Sequence, residues 1–231
     1  MKNLIFSLIA MFTVSFTVNA QITEGTVTLE IVEASSSDPQ MGMLGMLKGA
    51  TTTIHFNEDK SVTAMDMMGG MVKTTNYIDN KANKMDMLMD AMGNKIWVQS
   101  DLETAKAQQK QPGIENAEVV HDKSDTKEIL GYKAHKVTIK IPNTEGMVVT
   151  GYVTDEIKTD ASVIQGTEGL KLDGFPLEFT IDNPQMKLVI QAKEVKNEVD
   201  KAMLSPNTTG YTKMTMEEFS KSMGGMGGLG F

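Results

Sequence analysis

Residues 65–92 read MDMMGGMVKTTNYIDNKANKMDMLMDAM, and the register of this stretch decides what kind of sheet the chain builds. Successive side chains on a strand point to opposite faces. Met65 and Met67 therefore share one face, and Met85, Met87 and Met89 share one. Gly69-Gly70 marks a turn that sets Met67 opposite Val72 and Asp66 opposite Lys73, apolar contact on one side and a charge pair on the other. Whether the two methionine groups meet depends on the loop that follows Asp79. An even number of loop residues gathers Met65, Met67, Met85, Met87 and Met89 with Val72 and Ile78, whereas an odd number sets the second group beside Lys73 and Tyr77. The even loop is expected, because it buries Val72 and leaves Lys73 in water.

Outward from this stretch the pattern continues as a β-meander. A two- or four-residue turn at Met92–Asn94 equally puts Met87 and Met89 beside Ile96 or Val98, with Trp97 on the opposite face. Upstream, Thr51–Asn57 and Ser61–Met67 flank a polar turn, and Thr26–Val32 alternates Val27, Leu29 and Ile31 with polar residues. Between them, Asp38-Pro39 is a helix-start signal, and Met43, Met46 and Leu47 fall at i, i+3, i+4. This spacing predicts a short amphipathic helix serving as a lid. Downstream, DLETAKAQQKQ (101–111) has good helix formers but almost no apolar stripe, so a surface helix or loop is expected there. Strand-like runs at Glu118–His121, Ala134–Ile141, Met147–Thr154, Leu177–Ile181 and Met186–Val195 bring the total to about ten, as in a barrel, half-barrel or sandwich. Thr215-Met-Glu-Glu218 is a capping box that opens a short helix to Met223.

Composition narrows the function classes. Residues 1–20 carry Lys2, an apolar run from Leu4 to Val18 and a small-residue end at Val18-Asn19-Ala20, the layout of a cleavable secretory signal. The expected organisation is a signal peptide over 1–20, a single β-rich domain over 21–222 and a flexible Gly/Met-rich tail over 223–231, in a soluble protein of the periplasm or the exterior. The chain has no cysteine, which excludes disulfides, thiolate metal sites and a cysteine nucleophile. Its 22 basic residues are all lysine against 30 acidic ones. Without arginine's planar fork and with an acidic balance, neither nucleic acid nor an anionic membrane surface is an expected partner.

Chemistry-bearing patterns are sparse. His55, His121 and His135 lie far apart with no metal-binding or catalytic spacing, and His55 alternates with Ile54 and Phe56 as a solvent-facing strand residue would. No nucleophile elbow, phosphate loop or dinucleotide fingerprint occurs, and Asp79-Asn-Lys-Ala-Asn83 lacks the acids and glycine of a calcium loop. No catalytic residue, metal site or cofactor is therefore expected, and the reading is of a non-enzymatic protein. The departure from ordinary composition is methionine, 20 residues in all. Three readings of it compete: core filler in a structural envelope protein, a groove of adaptable thioethers for a lipid or other apolar ligand, and soft-ligand binding of Cu(I) or Ag(I).

The second half carries Ile129-Leu-Gly-Tyr-Lys-Ala-His-Lys136, Gly174-Phe-Pro-Leu-Glu178, and Leu204-Ser-Pro206 followed by Gly210-Tyr-Thr-Lys-Met214. Taken in this order, these phrases resemble an uncharacterised family of exported domains from Gram-negative bacteria, similar in architecture to the LolA/LolB lipoprotein carriers. Tyr152 and Leu204 stand where that family has tryptophan and phenylalanine. The resemblance implies an open antiparallel sheet curved as a half-barrel, with a few short helices over its concave side and no catalytic residues. The candidate ligand-binding residues are then Met65, Met67, Met85, Met87, Met89, Val72, Ile96 and Val98, under a lid of Met43, Met46 and Leu47. A lipid, another hydrophobic small molecule or an apolar segment of a partner protein is the expected occupant.

Overall fold

Val27, Leu29 and Ile31 alternate with polar neighbours on the first strand, and the same alternation organises the whole molecule. The computed structural model describes residues 21–38, 44–109, 116–142, 148–161 and 172–225. The expected signal segment, Met43 and the residues after Gly225 lie outside that range. The first wing of the sheet is a meander of β1 (Gly25–Ser36), β2 (Thr51–Phe56), β3 (Lys60–Met67), β4 (Val72–Asp79), β5 (Lys84–Ala91) and β6 (Asn94–Asp101). The second wing comprises β7 (Glu118–Ile129), β8 (Tyr132–Lys140), β9 (Val148–Thr154), β10 (Phe175–Asp182) and β11 (Met186–Lys196). A short β12 (Thr212–Met214) completes one twelve-stranded sheet of order β12-β6-β5-β4-β3-β2-β1-β11-β10-β9-β8-β7. Every pairing is antiparallel except β12 with β6. The sheet is open and curled as a half-barrel, as expected.

The wings meet where β1 pairs with β11, from Thr26 opposite Lys196 to Ser36 opposite Met186. Val27 and Leu29 of β1 and Ile54 and Phe56 of β2 point inward there with Leu177 and Ala192, and all are buried. In the second wing Val137, Ile139, Val149, Val153 and Phe179 form a second inward cluster. The opposite, outer face is mixed: Val62 and Leu88 are buried on it, while another row meets water. Across the first wing it carries Glu30, Thr51, Asp66, Lys73, Asp90 and Lys95 in one row. Lys73 pairs with Asp66 at 3.6 Å and Lys95 with Asp90 at 3.8 Å. Such exposed pairs contribute little stability, about 0–1 kcal/mol each; their role is to fix which face meets water.

Three features differ from the sequence reading. Helix α1 (Leu102–Gln109) exists, but it is more than a surface helix: Leu102 and Ala105, one turn apart, are buried against Met85 and Ile78 of the inner face. A two-residue stripe is enough for so short a helix to dock, and alanine scarcely registers as apolar patterning. Strand β7 continues past His121 to Ile129 through a bulge over 122–126. There the Asp122 carboxylate accepts from the Ser124 and Asp125 amides at 2.9 and 3.2 Å, a local side-chain bond that reads as a turn. The chain also returns after β11. Residues 197–211 cross the outer face: Thr26 donates its hydroxyl to the Glu198 carbonyl at 3.1 Å, and the 3-10 turn Lys201–Leu204 lies against β2 and β3 with Leu204 buried. The chain then forms β12 at the β6 edge and folds helix α2 (Met216–Gly225) back onto the inner face. The capping box at its start is formed, the Glu218 carboxylate accepting from the Thr215 amide at 2.8 Å and the Thr215 hydroxyl from the Glu218 amide at 3.2 Å.

Candidate functional site

The loop between β4 and β5 has four residues, since Asp79 opposes Lys84. This even length carries the inner-face parity from β3 through β6. One row reads Met65, Thr74, Met89, Ile96, and the next Thr63, Asn76, Met87, Val98. Below them runs Ser61, Ile78, Met85, Ser100, and above them Met67, Val72, Ala91. All five methionines named from the sequence thus share a face with Val72, Ile78, Ile96 and Val98.

This face is partly roofed. Met85 lies beneath α1 with 3% of its surface exposed. Met87, Ile96 and Val98 lie beneath α2, packed against Met214, Met216 and Phe219. Met67 is buried as well, whereas Met65, Val72 and Met89 are only half-buried. The roof over this face is thus built from α1 and α2. Of the expected lid, Leu44–Leu47 is a single 3-10 turn in which Leu47 is half-buried and Met46 is 53% exposed.

Polar atoms interrupt the apolar surface. The Ser61 hydroxyl and the Asn76 side-chain carbonyl are buried without a hydrogen-bond partner among the described residues. An orphaned buried polar atom costs roughly 1–3 kcal/mol, and these two are diagonal neighbours across β3 and β4 on the methionine face. Ser61 borders a cleft of about 300 Å³ at the lower rim, between the β2–β3 turn, the β4–β5 turn and residues 158–160. Sequence parity already placed Ser61 and Asn76 on the methionine face. What it lacked was any sign that they would go unsatisfied, because that depends on which neighbours the fold supplies.

Parity against the methionines puts Asp86 on the outer face, but it is buried there, and its Oδ1 accepts from Trp97 Nε1 and Gln99 Nε2, both at 2.8 Å. Lys213 lies 4.4 Å from the Trp97 ring centre and donates to Gln99 at 3.1 Å, fastening β12 to β6. The fold brings two histidines together: His121 Nδ1 and His135 Nε2 are 2.9 Å apart. The sequence hid this because the hairpin that joins them contains the β7 bulge. Burial lowers the His135 pKa, opposed by the Asp155 charge and assisted by His121 and Lys123. His55 is half-buried under the returning segment rather than facing solvent freely. It shares a 3.1 Å hydrogen bond with Thr26 Oγ1, and burial lowers its pKa while the Asp200 charge raises it. Among the described residues no three or more His, Cys, Asp or Glu side chains group to hold a metal, and no helix is long and apolar enough to cross a membrane.

No protein-family model matches the chain, and no curated protein matches it. Solved structures similar to it include the Mycobacterium tuberculosis lipoprotein LppX, with a TM-score of 0.37 and 11% identity over 78% of this chain and 89% of that one. MucB matches with a TM-score of 0.34 and 9% identity, covering 82% of this chain and 59% of MucB, so the chain spans about three fifths of that protein's length. LprF from Mycobacterium bovis matches with a TM-score of 0.28 and 15% identity over 82% of this chain and 90% of that one.

Proposed function

We propose that this is an exported, non-enzymatic binding protein that holds the alkyl part of a lipid or similar apolar ligand on the methionine face of its half-barrel. The observation that carries this reading is the coincidence of parity and exposure. Five thioethers share one face with Val72, Ile96 and Val98, and Met65, Met89 and Val72 there are left half-exposed instead of sealed by the fold. Methionine suits such a surface, because its unbranched, polarisable side chain adapts to chains of different shape. An apolar ligand would complete the burial that α1 and α2 begin, each buried methylene contributing about 0.8 kcal/mol.

The test is uptake of a fluorescent fatty acid by protein purified without detergent, with native mass spectrometry for carried-over lipid. Met89→Asp places a charge on the half-exposed part of the face and is expected to abolish uptake, whereas Met92→Asp, at a turn residue 83% exposed, leaves it intact. Absence of bound apolar material together with no uptake, or equal uptake by both variants, overturns the reading.

A further inference from the structure

We infer that the cleft beside Ser61 receives the polar head of the ligand, and that this head is zwitterionic. The inference rests on the proposed use of the methionine face for the alkyl part. The cleft is a built site. Its walls are tied together: the Asn80 amide donates to the Asp59 carbonyl at 3.0 Å, joining the two turns, and Asn80 Nδ2 donates to Asp160 Oδ2 at 3.3 Å, joining them to the third wall. That wall is anchored in turn by the parallel bridge of Ile22 with Ile157, where the Lys158 amide donates to the Ile22 carbonyl at 2.8 Å. At about 300 Å³ the space is at the small end of ligand pockets, suited to a head group and not to a chain.

The lining supplies recognition of both signs. Each of two walls carries both signs, Lys60 with Glu58 at the β2–β3 turn and Lys158 with Asp160 on the third wall. Lys60 is held by Asp79 at 3.1 Å, while Lys158 forms no ion pair among the described residues. Ser61, 3% exposed, lines the same cleft with its hydroxyl unpartnered. The Ser61 hydroxyl is sealed from solvent in the unliganded chain; turned about its side-chain bond toward the cleft, it would donate a charge-assisted bond to an anionic oxygen held by Lys158, and an ammonium group would sit toward Asp160 and Glu58. Ser61 and the half-buried Met65 lie four residues apart on β3, so at roughly 3.4 Å per residue the head lies about 14 Å from the open part of the face. Asn76 sits diagonally from Ser61, roughly 7–8 Å away between backbones, in the row between those of Ser61 and Met65, with its buried carbonyl also unpartnered among the described residues.

The experiment is competition against the fluorescent fatty acid by three amphiphiles of one chain length: a lysophosphatidylethanolamine, the free fatty acid and its uncharged methyl ester. The zwitterionic amphiphile is expected to bind about tenfold more tightly than the methyl ester, as charge-assisted contacts of this kind imply. Lys158→Gln and Ser61→Ala are each expected to weaken it about five- to tenfold while leaving the methyl ester unchanged. Lys158 is exposed and the Ser61 hydroxyl is unbonded, so neither substitution should cost stability, which a urea titration checks. Equal affinity for all three amphiphiles, or variants that weaken all three alike, overturns the head-group site but leaves the methionine face standing. A fatty acid that matches the zwitterion overturns the part played by Asp160 and Glu58. Failure of every amphiphile, the methyl ester included, overturns both readings together.

Discussion

Replacing Gly151 by alanine should destabilise the second wing, and the structure gives the size of the effect. Gly151 of β9 opposes Phe179 of β10, whose ring lies over the bare glycine backbone. A Cβ built at Gly151 would stand 2.5 Å from Phe179 Cδ1, 2.7 Å from Cε1 and 2.6 Å from the Glu178 backbone carbonyl oxygen. Optimal separation between carbon atoms is about 3.5–4.0 Å, so each contact falls short by roughly 1 Å. The ring has little room to withdraw, because Phe179 is 2% exposed and packed among Val137, Ile139, Val149 and Val153. The carbonyl belongs to a strand paired on both sides, so the backbone itself must yield.

Overpacking of this kind costs about 1–3 kcal/mol, offset by about 0.4–1 kcal/mol from the stiffer unfolded chain. The net loss is on the order of 1–2 kcal/mol. With a urea dependence of about 2 kcal/mol per molar, the unfolding midpoint should fall by roughly 0.5–1 M. Adding Phe179→Leu removes the ring clash and leaves the carbonyl clash. The second substitution should therefore cost less in the alanine background than alone, with a coupling above about 0.5 kcal/mol. A midpoint for Gly151→Ala equal to or above that of the parent would refute this account of the β9–β10 pairing.

Two further outcomes follow from the same kind of reasoning. Met85→Ala should cost about 2–5 kcal/mol in urea unfolding, since it opens a hole beneath Leu102 and Ala105 of α1, whereas Met85→Leu keeps the volume and should cost under about 1.5 kcal/mol. Stability should also fall as pH drops through the ordinary histidine range. Burial lowers the pKa of both His135 and His55, so below about 6.5 the unfolded chain binds protons that the folded one refuses, and the decline ends at the lowered folded values. In paired urea titrations at pH 7.5 and 5.5, His135→Gln should show a smaller decline than the parent; an unchanged decline rules out His135 as its source.

Much of the fold was legible because one period dominates it. Alternation over Met65–Val98 fixed the strands, their faces and the pairing of Asp66 with Lys73, and the even loop after Asp79 followed from keeping Val72 dry and Lys73 wet. The sequence hid what depends on tertiary partners. Helix α1 docks through Leu102 and Ala105, too thin a stripe to register. The β7 bulge disguised a strand as a turn, and with it the meeting of His121 with His135. Of the candidate site, the methionine face could be read directly. Its roof by α2 and the orphaned Ser61 and Asn76 could not, because roofing and satisfaction are properties of what comes to lie opposite.

The ladder between β1 and β11 bears on how the chain reaches this state. Each wing is built from neighbours in sequence and can zip locally, but Thr26 must find Lys196 before the two wings become one sheet. Contacts of such long reach carry the loop-closure entropy of nearly the whole domain and are typically formed late and slowly. Until that seam closes, Val27, Leu29, Ile54 and Phe56 have no Leu177 or Ala192 to cover them. The half-formed molecule is then two sticky meanders, and its exposure to aggregation is set by the time taken to join them.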